Sequence, residues 1–164
     1  MLISIRLVIL SFVLMFGSFT ISYAESNGVE KYYRAAIKYQ ESRNLKMAEL
    51  IFTEGIKKYP RSVKLYYFRG KLYQHYLADC NKAMLDYNIV ISMDPYYNPK
   101  VFWRRGECFY GKGYYEYAIK YYSTCLKLKP NYPRVHFLRG RAYGKLKKIE
   151  NAKKDLRYAA KLNK

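Results

Sequence analysis

The chain has 164 residues, of which 51% are hydrophobic, and its 31 Lys and Arg against 12 Asp and Glu give a formal net charge of +19. This apolar content is ample for a globular domain, and it excludes a chain that is too polar to form a packed core. The positive charge favours anionic partners, namely acidic proteins, anionic membrane surfaces or nucleic acid. The alternative explanation of this charge is an exposed, lysine-rich face that contacts only solvent and binds no partner.

Residues 1–24 differ in character from the rest of the chain. Arg6 precedes a largely apolar run over residues 7–16, and Ser22 and Ala24 place small side chains where a signal peptidase reads them. This pattern predicts a secretory signal that is cleaved after Ala24. The alternative is an uncleaved membrane anchor, because residues 2–21 just reach the roughly 20 residues that span a bilayer. We therefore expect an exported protein, periplasmic or secreted, which stays membrane-anchored if the signal is not cleaved.

After the signal, one pattern of small and large residues occurs four times. Each copy begins with a small residue, which is followed three positions later by an aromatic residue and about twelve positions later by Ala. Four positions after that Ala comes an aromatic residue or Leu, and eight further on there is usually a Pro. The four copies are Ala36, Tyr39, Ala48, Phe52, Pro60; Gly70, Tyr73, Ala83, Tyr87, Pro95; Gly106, Phe109, Ala118, Tyr122, Pro130; and Gly140, Tyr143, Ala152, Leu156. The small residues allow two helices to approach closely, and we expect the aromatics three positions on, Tyr39, Tyr73, Phe109 and Tyr143, to fill the space around them.

Amphipathic spacing within each copy predicts two helices, as in the stripe of Tyr66, Gly70, Tyr73 and Leu77. In chain order, the eight predicted helices cover residues 29–42, 45–58, 63–77, 80–93, 98–111, 115–128, 132–145 and 149–162. The prolines that follow the second, fourth and sixth helices lie where those helices must stop.

The period of 34 or 35 residues and its small and large positions resemble the tetratricopeptide repeat. This resemblance covers residues 29–164 and implies an all-α fold, a right-handed helix-turn-helix solenoid of about four repeats. The implied repeats are residues 29–62, 63–97, 98–132 and 133–164. Proteins of this family usually hold a partner and rarely catalyse.

The three cysteines occupy repeat positions that small core residues hold elsewhere. Cys125 corresponds to Gly55 and Ala159, Cys80 begins a second helix, and Cys108 lies just before Phe109. We read all three as core residues, and an odd count leaves at least one thiol unpaired. A bridge between Cys108 and Cys125 within the third repeat is the alternative.

Polar residues also recur with the repeat. Arg69 and Arg139 each precede the small Gly, and Asp86 and Asp155 each lie three residues after the Ala of the second helix. We expect Arg69 to pair with Asp86 and Arg139 with Asp155, each worth about 1 kcal/mol or less if exposed. Arg105 has Tyr121 opposite it, and stacking on that ring is the expected role.

Signatures of catalysis and of metal binding are missing from the sequence. It contains no GxSxG, HExxH or phosphate-loop motif and no CxxC spacing. His136 occupies a position that is aromatic in the other copies, which favours packing over catalysis. We predict that the protein is not an enzyme and requires no cofactor or metal.

The resemblance implies that the first helix of each repeat lines a concave groove. The residues of this chain at those positions interleave cations with aromatic rings and include the only Trp. The predicted partner-binding residues are Tyr33, Lys64, Tyr67, Lys71, Lys100, Trp103, Arg104, Glu107, Arg134, Phe137 and Arg141. Such a surface suits an extended acidic peptide, whose carboxylates meet the cations while its apolar side chains lie on the rings.

The last predicted helix, around Ala159 and Leu162, is followed only by a short tail in this sequence. Repeat arrays usually end with a polar capping helix. Lysine stems could cover this face, or a second copy or a partner could dock on it. Self-association at the C-terminal repeat is therefore a further expectation.

Taken together, the sequence predicts an exported scaffold that binds another protein through a basic, aromatic groove. The alternative is a basic envelope or secreted protein that binds anionic lipid or nucleic acid electrostatically, in which the groove is incidental.

Overall fold

A computed structural model of the protein describes residues 25–163, all of which lie in helices or short connections and none in a strand. The predicted signal sequence lies outside these described residues. Within them, no helix combines the length and the apolar character that crossing a membrane requires.

The helix boundaries agree with the predicted ones to within two residues for seven of the eight helices, the exception being the start of the first. Helix α1 covers residues 25–41, and the others are α2 (Leu45–Lys58), α3 (Val63–His75), α4 (Cys80–Met93), α5 (Lys100–Gly111), α6 (Tyr115–Leu128), α7 (Pro133–Lys145) and α8 (Ile149–Leu162). The all-α helix-turn-helix prediction is thus confirmed, and α3 ends two residues earlier than expected because the chain turns there.

The described chain divides into two compact units. The first runs from residue 25 to Phe68 and the second from Arg69 to residue 163, so the division falls within α3. In the first unit Ala36, Ala48 and Phe52 are completely buried. In the second unit α5 packs on α6, and α7 packs on both α6 and α8.

Close approach within each helix pair explains the recurring glycines. A Cβ built on Gly106 would lie 2.5 Å from Tyr122 Cε1, and one on Gly70 would lie 2.7 Å from Tyr87 Cε1. Both tyrosines are completely buried. The close approach of the two helices at the glycines is therefore as predicted, but the large residue of the second helix, and not the aromatic three positions after the glycine, occupies the space that the absent side chain leaves free.

The turn between the paired helices also repeats. Arg43, Ala78, Gly113 and Lys147 all have positive φ, between 54° and 82°, at steps of 35, 35 and 34 residues. Only one of them is Gly, so three turns hold a side chain in a conformation that glycine would adopt at lower cost. The second repeat has one residue more than the other three between its small Gly and the Ala of its second helix. This turn accommodates that residue, because Asp79 N donates to Tyr73 O six residues earlier, whereas the corresponding bond in the other repeats spans five residues.

The prediction of three core cysteines is confirmed for Cys108 and Cys125, which are buried, but it missed a disulfide and is wrong for the half-buried Cys80. Cys80 at the start of α4 forms a disulfide with Cys108 in α5, and their Cα atoms are 5.5 Å apart. The alternative bridge between Cys108 and Cys125 is also wrong, because Cys125 is a free, buried thiol. That alternative sought a partner within one repeat, whereas the observed bridge joins the second helix of one repeat to the first helix of the next.

Candidate partner-binding site

The predicted binding residues are distributed over both units. Tyr33, Lys64 and Tyr67 belong to the first unit, and the other eight belong to the second. Each group has its own surroundings, and they are described separately.

In the first unit, the predicted cation is already paired. Lys64 Nζ lies 2.5 Å from Glu30 Oε2 and 3.9 Å from the centre of the Tyr33 ring. Tyr33 in turn lies 4.5 Å from the Phe68 ring, and Tyr67 is only 4% exposed. Internal contacts therefore satisfy these residues, which leaves little positive charge for a ligand.

In the second unit, three helices bring cations together. Lys71 lies on α3, Lys100 and Arg104 on α5, and Arg134 on α7. We call these four residues the basic cluster. Lys71 has a lowered pKa, first because it is partly buried and second because Arg104 and Lys100 repel its charge. An anion placed here would relieve that repulsion.

His75, which the sequence analysis did not single out, lies within the basic cluster. The Arg104 guanidinium donates a hydrogen bond to His75 Nε2, so this ring nitrogen accepts and carries no proton. Partial burial, followed by the charges of Arg104, Lys71 and Arg134, lowers the pKa of His75 to about 4. Its position four residues after Lys71 on the same helix was the signal that could have revealed it.

A polar network holds the α5 side of the cluster in place. Gln74 donates to the Arg104 backbone oxygen at 3.1 Å and to Glu107 at 3.3 Å, while its own oxygen accepts from Tyr87 at 2.9 Å. Arg134 reaches the same Glu107 carboxylate at 3.3 Å. Glu107 has a raised pKa because its burial outweighs the neighbouring cations and donors. The single carboxylate thus neutralises the cluster only in part.

Two predicted residues of this group are buried. Trp103 is 4% exposed and Arg104 is 8% exposed, and a buried nitrogen on each, Nε1 of Trp103 and Nε of Arg104, finds no hydrogen-bond acceptor among the described residues. The Trp103 ring lies 4.7 Å from the Arg104 guanidinium and 4.9 Å from that of Arg134. Trp103 therefore orients cations from beneath the surface and does not offer an open ring.

The exposed part of the predicted site lies on α5 and α7. Lys100, Arg134, Phe137 and Arg141 are all exposed, Phe137 to 47%. The Arg141 guanidinium lies 5.9 Å from the Phe137 ring and 5.4 Å from the Tyr110 ring. An exposed aromatic ring beside several cations is an arrangement that can contact apolar and acidic side chains at once.

Within residues 25–163, no group of His, Cys, Asp or Glu side chains is arranged to hold a metal ion. The predicted packing role of His136 has a polar component, since its Nδ1 lies 3.0 Å from Asp155 and its Nε2 lies 2.8 Å from Pro130 O.

Comparisons with known proteins agree with this architecture. Models of the TPR repeat and of the tetratricopeptide repeat match residues 106–147 and 133–164. No curated protein matches the chain in sequence.

Solved structures with the same fold include three of MamA. A crystal structure of MamA has a TM-score of 0.76 and 19% identity, and covers 88% of this chain and 83% of its own. MamA 41-end from Desulfovibrio magneticus RS-1 has a TM-score of 0.74 and 16% identity, and the match covers 82% of this chain and 75% of that one. MamA MSR-1 has a TM-score of 0.72 at 22% identity, covering 82% and 76%. At these identities the likeness shows the fold alone.

Proposed function

We propose that this tetratricopeptide-repeat protein is a scaffold that binds an acidic, extended segment of another protein through the basic cluster and the exposed face of α5 and α7. Repeats of this type usually form binding surfaces for other proteins. The observation that carries the proposal is the accumulation of Lys71, Lys100, Arg104 and Arg134 around a neutral His75, with Glu107 as their partly buried carboxylate.

The cluster favours an acidic partner for an electrostatic reason. Four cations that repel one another raise the energy of the free protein, and ligand carboxylates near them lower it. Lys100 and Arg134 are exposed and supply the first contacts, while buried Arg104 adds its charge from beneath them. Because these surface charges are screened by salt, binding should weaken as ionic strength rises.

Apolar contacts give the proposed partner a second feature. Phe137 and Arg141 form an exposed pair beside the cluster, so a segment that alternates acidic with apolar residues fits better than a purely acidic one. Trp103 supports this surface from below through Arg134.

Export is part of the proposal. The signal-like segment and the predicted cleavage after Ala24 support a protein that works in the periplasm or outside the cell. N-terminal sequencing of the protein recovered from its source cell tests this. A mature chain that begins at Glu25 supports cleavage, whereas an intact Met1 in the membrane fraction supports a retained anchor.

A photo-crosslinking residue at Phe137, introduced in the source cell, tests the partner. We expect capture of one dominant protein through an acidic segment, lost in the double variant Lys100→Glu, Arg134→Glu. The matched control is Lys46→Glu, Lys57→Glu, which reverses two exposed charges on α2. Capture of diffuse proteins, lipid or nucleic acid, equally reduced by both double variants, would instead support electrostatic binding to anionic surfaces.

A further inference from the structure

A second basic site lies on other faces of the second unit, between α6 and α8. A cleft of about 710 Å³ opens there, with α7 contributing to its floor. Its lining combines cations, two carboxylates and apolar groups. The lining includes Leu126, Lys127, Lys154, Arg157, Tyr158 and Lys161.

Positive charge dominates this α6–α8 cleft. Its two carboxylates are already paired, since Glu150 lies 3.0 Å from Lys153 Nζ and Asp155 accepts from Arg139 at 2.7 Å. Four further cations line the cleft, namely Lys127, Lys154, Arg157 and Lys161. Among residues 25–163 these four have no ion-pair partner. Within residues 25–163 the cleft therefore carries an excess of positive charge, which a bound anion would neutralise.

Hydrogen bonds fix the floor of the cleft before any ligand binds. Arg139 on α7 donates to Asp155 on α8 at 2.7 and 2.8 Å, and to Ser123 on α6 at 3.0 Å. His136 lies between two acceptors, with its Nδ1 3.0 Å from the same carboxylate and its Nε2 2.8 Å from the Pro130 carbonyl. Since one network joins all three helices, the spacing of the cleft walls is preorganised, which lowers the cost of binding.

Apolar surface accompanies the charge. Leu126 and Pro130 line the cleft, and the Tyr158 ring is 40% exposed. Tyr158 is held edge-on to His136 at 4.6 Å between ring centres, and its hydroxyl donates to Asn131 at 3.2 Å. A positioned ring above paired polar groups suits a ligand with a flat or apolar part.

We propose that the α6–α8 cleft binds a phosphorylated organic molecule, with the phosphate between Lys154, Arg157 and the neighbouring lysines and the organic part against Leu126 and Tyr158. A phosphate carries up to two charges at neutral pH, and arginine can contact it with two parallel hydrogen bonds. The volume lies in the range of about 300 to 1,000 Å³ that is usual for small-molecule sites. This proposal does not depend on the proposed protein partner.

Isothermal titration of the full-length protein with ATP, which joins phosphates to a flat ring, tests the site. We expect saturable binding of one equivalent and at least a ten-fold loss of affinity in Lys154→Glu, Arg157→Glu. The control Lys120→Glu, Lys145→Glu removes the same charge from exposed positions outside the cleft and should keep most of the affinity. The variant Lys100→Glu, Arg134→Glu should also keep it, which separates this cleft from the basic cluster.

Two further probes distinguish the source of the phosphate. Inorganic pyrophosphate should bind more weakly than ATP, because it lacks the part that contacts Tyr158. Vesicles of phosphatidylglycerol test a lipid headgroup, and binding to them that is lost only in Lys154→Glu, Arg157→Glu would assign the site to lipid. The proposal is overturned if no probe binds saturably, or if the cleft and control variants weaken binding equally while circular dichroism shows both to be folded.

Discussion

Arg139 holds Asp155 with two hydrogen bonds, from Nε at 2.7 Å and from Nη2 at 2.8 Å. The pair has a counterpart in the second repeat, where Arg69 contacts Asp86 at 2.9 and 2.8 Å. Both predicted pairings are therefore confirmed. Both carboxylates are buried, however, so the estimate for exposed pairs does not apply to them. Only Asp155 has a third donor, His136.

Replacing Asp155 with Asn should lower the free energy of unfolding by about 3 kcal/mol, because it leaves the half-buried Arg139 and the buried His136 without their charged partner. Urea unfolding followed by circular dichroism measures this. Glu150→Gln is the matched control, because its pair with Lys153 is exposed and should contribute less than about 0.5 kcal/mol. Equal losses in the two variants would contradict a structural role for the buried pair.

The two buried carboxylates should respond oppositely to pH. Burial alone would raise the pKa of Asp155, but hydrogen bonds from Arg139 and His136 outweigh it and lower the pKa below 3.8. At Asp86 burial outweighs the single Arg69 partner, and the pKa is raised. A folded pKa below the unfolded value adds stability that is present above the unfolded pKa and is lost as pH falls. For Asp86, whose folded pKa is raised, the pH dependence is reversed, so its contribution to stability increases as the pH falls.

Unfolding measured from pH 2 to 6 tests this difference. The stability of the wild type relative to Asp155→Asn should fall as the pH is lowered through and below about 4. Its stability relative to Asp86→Asn should rise as the pH is lowered towards about 4 and then level off, because the folded pKa of Asp86 lies above the unfolded value. Curves with the same slope for both variants would show that His136 does not distinguish the two carboxylates.

The ion pairs were predictable from sequence because they repeat with the helix pair, whereas the disulfide was not. Arg139 and Asp155 lie on the two helices of one repeat, whose register the Gly and Ala positions determine. Cys80 and Cys108 lie on helices of neighbouring repeats, so their proximity depends on how α4 packs against α5. A single sequence carries little information on that packing.

The disulfide should stabilise the second unit. It closes a loop with a sequence separation of 28 residues, and a crosslink of that length reduces the entropy of the unfolded chain by about 3 kcal/mol. Cys80→Ser, Cys108→Ser should therefore unfold at lower urea concentration than the oxidised wild type. Adding reductant should remove most of the difference, and Cys125→Ala should leave the effect of reductant unchanged.

Close packing at the glycine positions gives a sharper test of the fold. Gly106→Ala places a methyl group 2.5 Å from Tyr122 and should destabilise the protein by about 1 to 3 kcal/mol. Gly144→Ala, also in a helix but with nothing within 4 Å, should be neutral or stabilise by up to about 1 kcal/mol. Thermal unfolding of the two variants measures both effects, and equal shifts would contradict the packing described.

The sequence predicted which cations lie together at the candidate site, but not which of the site's side chains are exposed. The repeat pattern identified Lys100, Arg104 and Arg134, and the structure brings them together. The repeat pattern could not show that Trp103 is buried, with its ring 4.9 Å from the Arg134 guanidinium, because burial depends on how the neighbouring helices pack. The α6–α8 cleft was missed for a similar reason, since its lysines looked like an ordinary solvated face.

Binding of a synthetic peptide that alternates Glu with Leu and Phe, measured by fluorescence anisotropy at constant ionic strength, tests the central claim most directly. We predict that Lys100→Glu, Arg134→Glu weakens binding about ten-fold or more, which corresponds to roughly 1.4 kcal/mol. Lys46→Glu, Lys57→Glu should change it little, and a peptide with Lys in place of Glu should not bind. Equal weakening by the two double variants would contradict a defined protein-binding site and would favour binding by net charge alone.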